Sequence, residues 1–125
     1  MSTMAEPPSA TTVAAEARAR GAFVHTLQGD ALRDKLAVLD GIATTLRFPD
    51  TFGRNLDALY DCLTDLSWLP AGEHVLIWVS ATGLAERDPK AYLAIRSVLS
   101  DAQRALGPAG ERADGRQFTA VVAAP

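Results

Sequence analysis

Asp57, Asp61 and Asp65 recur at four-residue steps inside FPDTFGRNLDALYDCLTDLSW, residues 48–68. On an α-helix that spacing stacks three carboxylates along one face. Such a row offers three kinds of chemistry. Its oxygens accept charge-assisted hydrogen bonds from cationic groups of a partner, they suit Mg²⁺, which prefers oxygen ligands, and as a pair they can do acid–base work. Folding alone does not call for the row, because each like-charged pair four residues apart costs an isolated helix roughly 0.2–0.5 kcal/mol. The helix macrodipole favours an acid in the first turn by about 0.3–1 kcal/mol and fades within that turn. It therefore accounts for Asp57, accounts poorly for Asp61, and opposes Asp65. A solvated charged face and a partner-binding face both remain open from the pattern. His25 and His74 stand alone in sequence and read as structural. The chain has no Gly-rich phosphate loop, no G-x-S-x-G elbow and no Cys or His pair at metal spacing.

The elements that must position the acids can be read around them. Asn55 is the expected N-cap of the acidic helix. Counting from Leu56 at 0°, Leu56, Leu59, Leu63 and Leu66 fall between about 280° and 0°, whereas Asp57, Asp61, Asp65 and Thr64 fall between about 80° and 180°. Tyr60, near 40°, is on the seam. The leucines thus turn the acids outward. Upstream, Gly21–Gln28 reads as a strand, and a helix follows with Asp30 as N-cap and Leu32, Leu36, Leu39, Ala43 and Leu46 as its buried stripe. Phe48 and Pro49 end that helix, and Gly53 permits a turn. Downstream, Leu69–Gly72 turns into His74–Val79, whose continuous apolar run predicts a strand buried on both faces. Ser80–Arg87 reads as a loop with a helical turn. Asp88 and Pro89 open a helix with a stripe at Tyr92, Ile95, Leu99, Ala102 and Leu106, ended by Gly107 and Pro108. Ala109–Arg116 reads as a loop and Phe118–Val122 as the last strand. Strands alternating with helices in this order favour an α/β fold of parallel strands joined by helical crossovers.

The chain's 125 residues suit one domain, and 48% hydrophobic residues can fill one core without disulfides. Residues 1–20, rich in Ala, Ser, Thr and Pro, read as a disordered tail, leaving residues 21–125 as the folded domain. The single cysteine, Cys62, excludes an internal disulfide and agrees with a reducing compartment. No apolar run reaches 18 residues and the first residues lack a secretory pattern, so a cytoplasmic location and no membrane partner are expected. The formal charge is −3, and it is unevenly spread. Asp50, Asp57, Asp61 and Asp65 against Arg54 carry all of it, because the remaining eleven acids and eleven bases cancel. An acidic chain of this kind is not expected to bind nucleic acid directly.

The core of the acidic segment is Gly53, then Asn55-Leu56-Asp57-Ala58-Leu59, Tyr60, then Asp61-Cys62-Leu63-Thr64. This run resembles the signature of the barstar family, intracellular inhibitors of secreted ribonucleases of the barnase type, and the likeness extends more weakly from Phe23 to Val122. It implies a barstar-like single domain with a small three-stranded parallel sheet packed with helices. It also implies a protein that is not an enzyme, needs no cofactor or metal, is a monomer when free, and has a basic ribonuclease as partner. The family's residues that enter the ribonuclease cleft correspond to Asp57, Tyr60, Asp61 and Thr64, with Asp61 as central anchor. An acidic contact from the last helix corresponds to Asp101, and an aromatic contact after the acidic helix corresponds to Trp68. The chain departs from the family's best-known pattern in having Thr51-Phe52 for two adjacent tyrosines and Tyr60 for a tryptophan. Two alternatives stand beside this expectation: a small metal enzyme using Asp57 and Asp61, and a barstar-like regulatory module whose partner is not a nuclease.

Overall fold

His74–Val79 lies at the centre of the structure, as its apolar run predicts. The computed structural model describes residues 7–106 and 115–125. In chain order the elements are α1 (Ala10–Ala19), β1 (Phe23–Gln28), α2 (Lys35–Leu46), α3 (Leu56–Asp65), β2 (Gly72–Val79), α4 (Thr82–Arg87), α5 (Pro89–Leu106) and β3 (Arg116–Ala123). The three strands form one sheet in the order β1-β2-β3 and both pairings are parallel. The fold is thus the α/β, barstar-like arrangement expected. The termination expected at Gly107 and Pro108, and most of the loop expected over Ala109–Arg116, lie outside the described residues; Arg116 itself opens β3.

Strand alternation divides β2 between two cores. His74, Leu76 and Trp78 point to the side covered by α2, α3 and α5, where Leu39, Ile42, Leu46, Leu59, Leu63, Ile95, Leu99 and Phe118 are buried with them. Each such Leu, Ile or Phe contributes about 1.5–3 kcal/mol by leaving water. Val75, Ile77 and Val79 point the other way, into a smaller cluster with Ala17, Ala22 and Ala123. Gly29, just past β1, lets the chain run close to the core, since a Cβ there would come within 2.5 Å of Trp78 Nε1.

The second cluster corrects the reading of residues 1–20 as a tail. Residues 1–6 lie outside the described residues, but Ala10–Ala19 is helical and Ala17 is fully buried. The helix is held at both ends. The Ala10 N–H donates to Ala124 O, and the Ala124 N–H donates to Pro8 O, each at 2.8 Å. At the other end Arg20 makes a two-pronged contact to Glu73, at 2.9 and 3.0 Å. Local composition misled because the large apolar groups belong to the sheet. Small side chains on α1 let the helix come close enough to use them.

α2 is also shifted from expectation. Asp34, not Asp30, is its N-cap, accepting from the Ala37 N–H at 2.8 Å. The buried stripe is Val38, Leu39, Ile42 and Leu46, while Leu36 is 47% exposed. Leu32 reaches the core from the preceding loop instead. Asp88 caps α5 as expected, accepting from the Ala91 N–H at 3.1 Å. Within Ser80–Arg87, expected to be a loop with a helical turn, Thr82–Arg87 forms a short helix.

Candidate functional site: the outer face of α3

α3 begins as its sequence dictates. Asn55 accepts the Ala58 N–H at 2.8 Å and donates to Gly53 O at 3.2 Å. Gly53 keeps that cap accessible, because a Cβ there would meet Asn55 Nδ2 at 3.2 Å. Between them Arg54 takes a left-handed conformation (φ 55°) and grips Asp40 of α2 with two hydrogen bonds, at 2.8 and 2.9 Å. Both partners are about half exposed, so the pair stabilises weakly. Its larger consequence concerns charge. The one base of the acidic segment is committed to α2, and the acids of α3 have no ion-pair partner among the described residues.

Leu59, Leu63 and Leu66 are fully buried, and Leu56 is partly so. Asp57, Tyr60, Asp61 and Asp65 are exposed on the other side. Asp57 and Asp61 have no hydrogen bond or ion pair among the described residues. Asp65 differs from them: it accepts the Ser67 hydroxyl at 3.1 Å, at the turn where Leu66 leaves the helix with φ 52°. The acid row therefore divides into two free carboxylates and one with a local partner. Thr64 donates its hydroxyl to Tyr60 O at 2.9 Å and to Asp61 O at 3.3 Å, which fixes its rotamer and leaves its lone pairs outward. Cys62 is half-buried, and its thiol is pushed up in pKa by burial first and by Asp61 and Asp65 after it. It is correspondingly inert as a nucleophile.

The remaining two site residues are placed apart from this row. Trp68 is half-buried, its indole N–H donates to Leu46 O at 2.9 Å, and its ring stands edge-on to Phe48. It ties the end of α2, where the last carbonyls lack helical partners, to the chain after α3. Asp101 is on α5, which packs alongside α3, but its carboxylate is already bonded to Arg104. Sequence reasoning missed a concavity of about 360 Å³ next to the start of α3, lined by Asp40, Arg47, Phe48, Asp50, Phe52 and Arg54. The Phe48 and Phe52 rings meet edge to face there. The signal available was the pair of aromatics flanking Pro49.

The two histidines, solitary in sequence, meet in space. Parallel pairing sets Phe23 opposite His74, which brings His25 onto the same face. His74 is fully buried and its Nε2–H donates to Pro70 O at 2.8 Å. Its Nδ1 is then unprotonated and accepts the His25 Nε2–H at 2.9 Å, a tautomer assignment that follows from the carbonyl partner. The His25 pKa is pushed down to about 4, by burial first, then by His74 and Arg47. Above that value His25 is neutral, and its hydrogen bond to His74 links β1 to β2. No group of three or more His, Cys, Asp or Glu close enough to hold a metal occurs among the described residues.

No helix among the described residues is long and apolar enough to cross a membrane. No curated protein matches the chain significantly. The family model described as Barstar (barnase inhibitor) matches residues 22–123, taking in every element from β1 to β3 and leaving α1 outside. With that match over most of its length, and with the capped, leucine-backed helix inside it, the chain belongs to the barstar family.

Proposed function

We propose that the chain inhibits a basic ribonuclease by laying the outer face of α3 into the cleft that holds the RNA backbone. The observation that carries this is the state of Asp57 and Asp61. They are exposed, one turn apart on a helix fixed by buried leucines, and without a hydrogen-bond or ion-pair partner among the described residues. A ribonuclease is cationic where it grips phosphates. Carboxylates at phosphate-like positions form charge-assisted hydrogen bonds with those groups and offer no scissile bond. Asp61 is the central anchor, with Asp57 and Tyr60 beside it and Thr64 accepting through its free lone pairs. Tyr60, 37% exposed, supplies aromatic contact of the kind found at hot spots. Trp68 supports the site from below and Asp101 joins it by exchanging Arg104 for a cation of the partner. Inhibition is competitive with RNA, and opposite fields make association fast and salt-sensitive. The proposed place of action is the cytoplasm, where the Cys62 thiol stays reduced.

Titration against a panel of purified basic ribonucleases at low salt is the direct test. Inhibition of at least one, relieved by RNA and weakened by added salt, is expected. No binding to any of them at low salt overturns the proposal in favour of a regulatory module with another partner. Binding unaffected by Asp61→Ala would remove α3 from the interface.

A further inference from the structure

The two edges of the sheet are finished differently. Along a strand successive residues turn their N–H and C=O groups to alternate edges. On β3 the outward positions include Phe118, Ala120, Val122 and Ala124; Phe118 and Val122 have no main-chain partner at that edge among the described residues, but the other two are closed. The Ala120 N–H is taken by the Gln103 side chain of α5 at 3.0 Å, and Ala124 is bonded on both sides by Pro8 and Ala10. On β1 the Gly29 N–H donates inward to Val79 O of β2 at 2.8 Å. The outward positions are therefore Val24, Thr26 and Gln28. None of their outward main-chain groups has a hydrogen-bond partner among the described residues. Ala22, the preceding outward position, is closed by Ala17 O at the end of α1. The open stretch thus starts where α1 stops. Thr26 and Gln28 are exposed, so α1 does not cover them, and Phe23 is 41% exposed at the same edge.

We propose that β1 is a self-pairing edge, through which two copies of the chain join antiparallel into one six-stranded sheet. The strand FVHTLQ has no charge, proline or glycine, the devices that keep an edge from pairing. Its three outward positions are symmetric about Thr26. A two-fold axis through Thr26 sets Val24 opposite Gln28 of the second copy and Gln28 opposite Val24, and each facing pair exchanges two hydrogen bonds. In that register Phe23 lies opposite Gly29 of the second copy, which has no side chain to obstruct it. A parallel copy, or an antiparallel copy slipped by one residue, brings unmatched groups together. α3 packs on α5 and β3, toward the opposite edge. Both acidic faces thus remain open in the dimer, and the pairing is independent of what α3 binds. The free chain, expected to be a monomer, is then one only at low concentration, since an edge contact of this size belongs to the weak, transient class.

Sedimentation equilibrium from about 1 µM to about 1 mM spans the affinities of that class. The mass is expected to rise from 13.2 kDa toward twice that value. Thr26→Lys puts like charges opposite each other on the axis while changing only an exposed side chain. It is expected to remain one chain in mass at every concentration with an unchanged thermal melt. Thr26→Val is expected to pair as the wild type does. Hydrogen exchange adds the register: the amides of Val24, Thr26 and Gln28 should slow at least tenfold as the mass doubles. A wild-type mass that stays at one chain up to 1 mM overturns the proposal. So does a doubled mass with those three amides unprotected, or a Thr26→Lys variant that still doubles.

Discussion

α1 and α3 are each ten residues long and pack on opposite sides of the same core strands, yet they use their charges in opposite ways. The charge at the end of α1 is tied down, because Arg20 is locked to Glu73, which also accepts the Thr119 hydroxyl at 2.8 Å. Two of the three acids on α3 are free among the described residues, and Arg54, the base just before the helix, is held by α2. The packing differs in the same sense. α3 is anchored by large side chains that are wholly buried, whereas α1 buries little more than Ala17. A helix that only covers the sheet can be shallow and self-neutralising. A helix that presents unpaired acids to a partner needs a deep anchor to keep them in place.

The largest expected effect tests that anchor. Leu63→Ala removes a fully buried side chain from beneath Asp61 and should cost about 2–5 kcal/mol of stability, read as a lowered urea midpoint. A loss below about 1 kcal/mol would mean that α3 is seated no more firmly than α1. Asp61→Ala tests the free charge. It should weaken binding to an inhibited ribonuclease by about 2 kcal/mol or more, roughly 30-fold, while the thermal melt of the free protein stays level or rises slightly as repulsion with Asp57 and Asp65 is relieved. A clear drop in melting temperature would assign Asp61 a structural partner and erase the contrast. Ala17→Leu probes the other helix. If α1 is seated as closely as the burial of Ala17 indicates, the larger side chain overpacks the contact and costs about 1–3 kcal/mol by denaturant unfolding. An unchanged midpoint would make α1 a loosely laid cover.

The same two helices mark what a sequence of this kind discloses. α3 was legible because its leucine period, its Asn55 cap and its acids agree with one another within a dozen residues. α1 was not, because what makes it fold is the Val75, Ile77 and Val79 face, more than fifty residues away. The start of α2 failed for a nearer reason: Asp30 and Asp34 are both competent caps, and tertiary packing selects the second. Within the site, residue type and spacing identified the exposed face, but not that Arg54 turns toward Asp40, that Asp65 bonds Ser67, or that Trp68 spends its N–H on Leu46. The histidine pair is the clearest long-range case, since only the parallel register brings His25 to His74.

That pair titrates in a pH window of its own, above the one in which Glu73 acts. His25 has an ordinary value near 6.5 when unfolded and about 4 in the fold, so between those pH values the unfolded chain binds a proton that the folded chain refuses. Stability from this group is complete above 6.5, falls as pH drops toward 4, and changes no further below that. Glu73 on the α1 side acts at lower pH. Its pKa is held down chiefly by the Arg20 hydrogen bond, so its contribution is present above the ordinary carboxylate value and is lost as pH falls through the folded one. His25→Gln keeps a donor for His74 Nδ1 and removes the titration. The variant should therefore lose less melting temperature than the wild type between pH 6.5 and 4, and the two should run parallel below pH 4. Equal losses across the upper window would mean that His25 is charged in the fold, and a neutral His25 linking β1 to β2 would have to be abandoned.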